Sequence, residues 1–237
     1  MRTDQASILV VDDELELLEI FSAWLGRYGF RVFTAHNGAE ALKLLRVQGV
    51  DVLLSDIRMP VMDGVALVQN LNRMETPPPK IIFATGYGNI SRREIFAMGV
   101  EALLEKPLSR PALIEALERC LMDSADKWLT PSPLPIAQRI LLQLEGLKEA
   151  TAASAFSLGR GGCCVACDLP LKEGLPVELS IRFAREGLSL EAQGTVVWVD
   201  AEQKKAGVAF DFLQPECRPW VLDRINSENP RSFIPQC

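Results

Sequence analysis

The sequence has no apolar run of the ~18 residues that a membrane span needs, and its opening, MRTDQASILVVDDE, carries acids where a secretion signal would continue apolar. The expected location is the cytoplasm, with no membrane span. A basic excess is missing as well. Divided after Met122, 13 Lys/Arg stand against 16 Asp/Glu in the first part and 12 against 15 in the second. Binding to a nucleic-acid backbone draws on surplus cations, so neither part reads as a nucleic-acid-binding module. Histidine occurs once, at His36, and internal repeats and long low-complexity tracts are missing. Cysteine is sparse and scattered, with six residues. In a cytoplasmic chain this favours reduced structural thiols over a disulfide framework.

What is present is an ordinary globular composition, 48% apolar and 24% charged, on 237 residues, enough for two modest cores. The first ~120 residues alternate short β-rich runs with helical spacing, the pattern of a parallel, doubly wound α/β sheet. Five strands are expected: Ser7 to Asp12, Arg31 to Ala35, Val50 to Ser55, Lys80 to Ala84 and Glu101 to Glu105. Apolar residues three and four apart, such as Leu15, Leu18, Phe21 and Leu25, mark amphipathic helices between them. The domain is expected over residues 1–122. Residues 123–137, with Pro131, Pro133 and Pro135 at every second position, read as an extended, semi-rigid linker. Over residues 138–237 the period becomes two: in PVELSIRF, Val177, Leu179, Ile181 and Phe183 share a face. A small antiparallel sheet or β-barrel follows from this, with a short helix around Trp220 to Ile225.

Polar residues of the first domain fall at the carboxyl ends of its strands, the edge where open parallel sheets bind ligands. Asp12 and Asp13 follow the first strand, Asp56 the third, Thr85 the fourth and Lys106 the fifth. Three carboxylates brought together repel and need a cation; hard oxygens in a small site suit Mg²⁺. A carboxylate can take up a phosphoryl group as an acyl phosphate when metal and a lysine neutralise the charge that develops. Lys106 supplies that charge and the Thr85 hydroxyl a hydrogen bond.

VVDDELE, SDIRMPVMDG, ATGYG and EKP, in this order and spacing, resemble the receiver domain of two-component response regulators, over roughly residues 5 to 122. The resemblance implies a flavodoxin-like fold in which Asp56 accepts phosphate from a histidine kinase or phosphotransfer protein. It implies that Asp13, Asp56 and the backbone carbonyl of Arg58 ligate Mg²⁺, with Asp12 supporting through water, and that Thr85 and Lys106 sense the phosphoryl oxygens. Pro107 would fix the following turn through a cis Lys106-Pro107 bond. One departure stands out: Leu103 occupies the position three before the lysine where many receivers carry an aromatic switch residue. A haloacid-dehalogenase-like phosphatase would need Asp-x-Asp after its strand, which Asp56-Ile57-Arg58 does not provide; the chain is not read as an enzyme.

SLGRGGCCVAC, Ser157 to Cys167, admits three readings. A nucleotide-hydrolase phosphate loop requires Gly-Lys-Ser/Thr entering a helix, and CCVACDLPL supplies none. Cys164 and Cys167 have metal-like spacing, yet on a strand Cys163 and Cys167 share a face and Cys164 points away. A zinc site would have to recruit Cys217 and Cys237. A turn between antiparallel strands is favoured, and here SLGRGG, PLKEGLPVELSIRF, GTVVWVD and AGVAFDF resemble the PilZ domain, over about residues 136 to 226. In its binding members an Arg-x-x-x-Arg motif and an Asp/Asn-x-Ser-x-x-Gly turn hold cyclic diguanylate. Carried onto this sequence, the ligand positions are Arg139, Ser157, Gly159, Arg160 and Gly162, but Pro135 stands at the first arginine and only Gly162 keeps the turn motif. One charge-assisted contact is worth about 1.5 to 3 kcal/mol, so weak or absent binding is expected. The function implied is a response regulator with a PilZ-like output domain, in which phosphorylation at Asp56 changes the receiver's contacts with the barrel, with a second copy or with a partner protein. A receptor integrating phosphorylation with cyclic diguanylate, and a scaffold that is not phosphorylated, are the alternatives.

Overall fold

Five short apolar runs build the first sheet: β1 (Ser7–Val11), β2 (Arg31–Ala35), β3 (Val52–Asp56), β4 (Lys80–Thr85) and β5 (Val100–Glu105). All neighbouring pairs are parallel, in the order β2-β1-β3-β4-β5. The computed structural model describes residues 6–74, 76–86, 90–123, 126–131 and 134–237. Pro133 of the expected linker, and Tyr87 and Gly88 of the ATGYG motif, lie outside the described residues. Two compact units are present: Met1–Ile90 with Val100–Asp123, and Ser91–Gly99 with Ser124–Cys237.

In the first unit, Ile8 and Val10 of β1, with Val52 and Leu54 of β3, pack against α1 (Leu15–Arg27) and α5 (Arg110–Leu121). Leu18, Phe21 and Leu25 form the buried stripe of α1, as the helical spacing requires. The alternate residues Leu9, Leu53 and Phe83 are also fully buried, so both faces of the sheet are covered. On the second face lie α2 (Gly38–Val47) and α3 (Gly64–Leu71), capped by Asn37 and Asp63, whose side chains accept from Glu40 N and Ala66 N. The third strand begins two residues later than the sequence reading put it. Asp51 is instead a cap at the strand's base, its Oδ2 accepting the Ser7 amide at 2.8 Å.

The second unit is a six-stranded half-barrel of β6 (Gln138–Leu144), β7 (Phe156–Leu158), β8 (Gly162–Ala166), β9 (Pro176–Phe183), β10 (Leu188–Asp200) and β11 (Lys205–Leu213), in the order β6-β9-β10-β11-β8-β7. The sheet is mixed, because β6 runs parallel to β9; this corrects the all-antiparallel expectation. A connection through α6 (Leu147–Ala152) and the β7–β8 hairpin separates β6 from β9 in sequence, long enough for a parallel return. Val177, Leu179, Ile181 and Phe183 are buried together. Trp128, in the stretch read as linker, joins that core edge-on to Phe210. The C-terminal helix α7 (Arg218–Glu228) adds Val221 and Ile225.

On β10 a register shift between Val196 and Trp198 places Val196 in the main core and Trp198 in a small separate cluster with Phe96, Cys164 and Ile234. Gly207 makes room for it: a Cβ there would lie 2.1 Å from the indole Nε1. Phe96 comes from α4 (Arg92–Ala97), whose Ser91 and Glu94 form a capping box. Arg93 lies over the Trp198 ring, 5.4 Å from its centroid, and pairs with Asp200.

The expectation that all six cysteines are free is corrected. Cys164 and Cys237 are joined by a disulfide across 73 positions of sequence, which brings the terminal segment onto β8. Cys120, Cys163, Cys167 and Cys217 take no part in a disulfide.

Candidate functional site

Strand ends assemble the site. β1 ends at Val11 and delivers Asp12 and Asp13; Asp56 is the last residue of β3 and Thr85 of β4; Lys106 follows β5. One carboxylate oxygen from each of Asp12, Asp13 and Asp56 lies within 4.8 Å of the others, the converging acidic group among the described residues. Asp12 is buried, Asp56 half-buried and Asp13 exposed. Lys106 Nζ donates to Asp12 Oδ2 at 2.7 Å and to Asp56 Oδ2 at 2.8 Å. Burial lowers the Lys106 pKa, but the hydrogen bonds to Asp12 and Asp56 and their charges outweigh it, so the ammonium is held above its ordinary range.

The backbone fixes these side chains. Asp56 Oδ1 accepts from Ile57 N at 2.6 Å and from Arg58 N at 3.3 Å, and Asp12 Oδ1 from Glu14 N at 3.0 Å. The Lys106 amide donates to the Thr85 carbonyl at 2.8 Å, which ties the buried Thr85 to the lysine. The Lys106-Pro107 bond is cis. Leu103, half-buried on β5, pairs in register with Phe83.

Three carboxylates against one ammonium leave an excess of negative charge, and every donor is a hard oxygen. That set fits a small divalent cation such as Mg²⁺. The sequence reading missed Gly64. A Cβ there would lie 2.3 Å from the Asp56 carbonyl oxygen, so α3 can begin against the acidic site only with glycine. The glycine of MPVMDG was the available signal.

The PilZ-like positions are less concentrated. Arg139, exposed on the edge strand β6, pairs with Glu178 at 2.7 Å. Ser157 and Gly162 stand on β7 and β8, at the other end of the strand order, with Gly159 and Arg160 in the turn between them. Cys163 and Cys167 pack on the main core and Cys164 lies in the small cluster, as strand alternation required.

This acidic strand-end site on a 2-1-3-4-5 parallel sheet is that of a signalling receiver unit, and residues 8–118 match the response regulator receiver domain family. Residues 136–218 match the PilZ domain family. The chain is a response regulator receiver domain followed by a PilZ domain. Among curated relatives, the transcriptional regulatory protein GlrR of Escherichia coli (strain K12) is 33% identical over 166 residues, 66% of this chain and 36% of that protein. The probable transcriptional regulator ycf27 of Pyropia yezoensis is 34% identical over 136 residues, 57% of this chain and 55% of its own. This chain thus spans roughly a third to just over half of these relatives. The solved chemotaxis response regulator CheY4 of Vibrio cholerae aligns at 30% identity with TM-score 0.46, over 49% of this chain and 99% of that one. No helix among the described residues is long and apolar enough to cross a membrane.

Proposed function

We propose that the chain is a response regulator in which Asp56 accepts a phosphoryl group in a Mg²⁺-dependent reaction and the PilZ domain carries the output. The observation that carries this reading is the convergence of Asp12, Asp13 and Asp56 with Lys106 bridging two of them. A histidine kinase or phosphotransfer protein is the donor. An Asp56 carboxylate oxygen attacks phosphorus, the P–N bond of the donor phosphohistidine breaks, and the imidazole leaves as the acyl phosphate forms. Asp13, Asp56 and the Arg58 carbonyl would hold Mg²⁺, with Asp12 supporting; when bound, the ion neutralises the phosphoryl oxygens. Lys106 bonds those oxygens once Asp56 is phosphorylated, and Thr85, tethered to the lysine backbone, donates its hydroxyl. The backbone donors from Ile57 and Arg58 keep Asp56 pointed into the site.

Output passes through contacts that differ between the phosphorylated and unphosphorylated states, to the barrel, a second copy or a partner protein. Incubation with acetyl phosphate and Mg²⁺ tests the acceptor: wild type gains one phosphoryl group by mass spectrometry and Asp56→Asn gains none. No uptake by wild type assigns the chain to the scaffold reading. In the same proposal cyclic diguanylate binds weakly or not at all, supported by Pro135 at the first arginine position and by Arg139 facing Glu178. Calorimetry with the dinucleotide checks it: tight binding that is lost in Arg139→Ala favours an integrating receptor.

A further inference from the structure

The turn between β7 and β8 is covered by a segment of the same chain. The Arg160 amide donates to the Ser232 carbonyl at 3.0 Å and the Gly161 amide to the Phe233 carbonyl at 2.9 Å. The Arg160 guanidinium donates to Gly99 O at 3.0 Å and reaches Arg231 O at 3.4 Å. The glycines make this approach feasible. A Cβ on Gly161 would lie 2.0 Å from the Phe233 ring, one on Gly159 would lie 2.5 Å from the Phe233 carbonyl, and one on Gly162 would lie 2.6 Å from Ile234 Cδ1. Ile234 is fully buried in the small cluster beside Cys164 and Trp198. At its far end the segment is tied twice: Cys237 Sγ to Cys164, and the Cys237 carbonyl to Lys205 Nζ at 3.1 Å.

Adjacent backbone N–H groups in a glycine-rich turn, with a guanidinium beside them, form a donor cluster suited to anionic oxygens. Here carbonyl oxygens of residues 232 and 233 take the two amides, and the guanidinium is shared between Arg231 O and Gly99 O. We infer that Arg231–Cys237 is a redox-latched cap. With the Cys164–Cys237 bond intact the segment occupies the turn's donors; with the bond reduced it lifts and leaves them to an anionic, phosphate-bearing ligand. The inference does not depend on phosphoryl transfer to Asp56.

The latch is opened by a dithiol. Its thiolate attacks Sγ of Cys237, the less buried of the two residues, and the S–S bond breaks with Cys164 leaving as thiolate. The second thiol then resolves the mixed disulfide. The dithiol loses two electrons and two protons, and Cys164 and Cys237 each end as a thiol.

The test uses the full chain in both redox states. Alkylation under denaturing, non-reducing conditions is expected to label four of the six cysteines, with Cys164 and Cys237 unlabelled. On reduction, hydrogen exchange at Arg160 and Gly161 accelerates at least tenfold while the amides of β9 keep their rates. Millimolar inorganic pyrophosphate then shifts the Arg160 and Gly161 amide resonances of the reduced chain and not of the oxidised one. Cys237→Ser reproduces the reduced behaviour without reductant, and Cys163→Ser, which leaves the latch intact, does not. Labelling of all six cysteines, unchanged exchange after complete reduction, or a pyrophosphate response that is the same in both states overturns the proposal.

Discussion

Replacing Lys106 by Met tests how the acidic site is held together. The ammonium makes two charge-assisted hydrogen bonds, 2.7 Å to Asp12 and 2.8 Å to Asp56, with the three side chains 15%, 2% and 13% exposed. A hydrogen bond to a charged group contributes about 1.5 to 3 kcal/mol. Removing one partner of a buried pair costs about 3 to 5 kcal/mol, chiefly because an uncompensated charge is left behind. Asp13 is exposed, Asp56 keeps two backbone donors, and Asp12, the most buried of the three, keeps only the Glu14 amide, so the penalty concentrates on Asp12. These considerations place the loss at about 2 to 4 kcal/mol. Urea unfolding in EDTA at low ionic strength should show that drop. Saturating Mg²⁺ should return a large part of it, since a divalent ion supplies the missing positive charge and binding to the folded state is itself stabilising. A variant within about 0.5 kcal/mol of wild type in EDTA, the scatter of surface substitutions, or one that Mg²⁺ does not rescue more than it stabilises wild type, would refute the reasoning.

Gly64→Ala should push the start of α3 away from the Asp56 carbonyl, at a cost of about 1 to 3 kcal/mol for overpacking, with weaker Mg²⁺ binding by titration; unchanged affinity would show that α3 does not set the acceptor's position. Val61, 86% exposed with φ 68°, holds a left-handed conformation that β-branched residues resist; Val61→Asn should stabilise by up to about 1 kcal/mol, read as a raised urea midpoint. Cys163 is fully buried, and burial first, then the neighbouring Cys167, pushes its thiol far above its ordinary value of 9.0. Its neutral form therefore contributes stability that is complete below pH 9.0 and declines as pH rises toward the folded value. The checks are a falling denaturant midpoint above that pH in wild type, a shallower fall in Cys163→Ala, and alkylation of Cys163 only at the global unfolding rate.

Much of the receiver was legible because its signals are local. Apolar periodicity placed β2 residue for residue, and polar residues at strand ends announced Asp12, Asp56, Thr85 and Lys106 before any packing was known. The start of β3 was missed because Asp51 serves as a cap through a partner 44 positions away, Ser7. Alternation in the second unit named the core face of β9 correctly but carries no information on strand direction, so the parallel partner β6 could not be foreseen. The turn Ser157 to Gly162 was read as a turn on its glycines. What those glycines accommodate, the Phe233 ring and the chain around it, lies some 70 positions onward and left no local trace. Trp128 was hidden for a different reason: a lone aromatic in a proline-rich stretch has no periodicity to mark it as core.

The slip in register on β10 gives the molecule an optical consequence. Trp198 is turned out of the main core into the same small cluster as the Cys164 sulfur, and an excited indole loses its emission to a nearby disulfide by short-range electron transfer. Trp24, Trp128 and Trp220 belong to, or pack against, other clusters. Brightening of the emission on addition of a dithiol would therefore report on one indole, and Trp198→Phe would leave the spectrum indifferent to the sulfur's oxidation state.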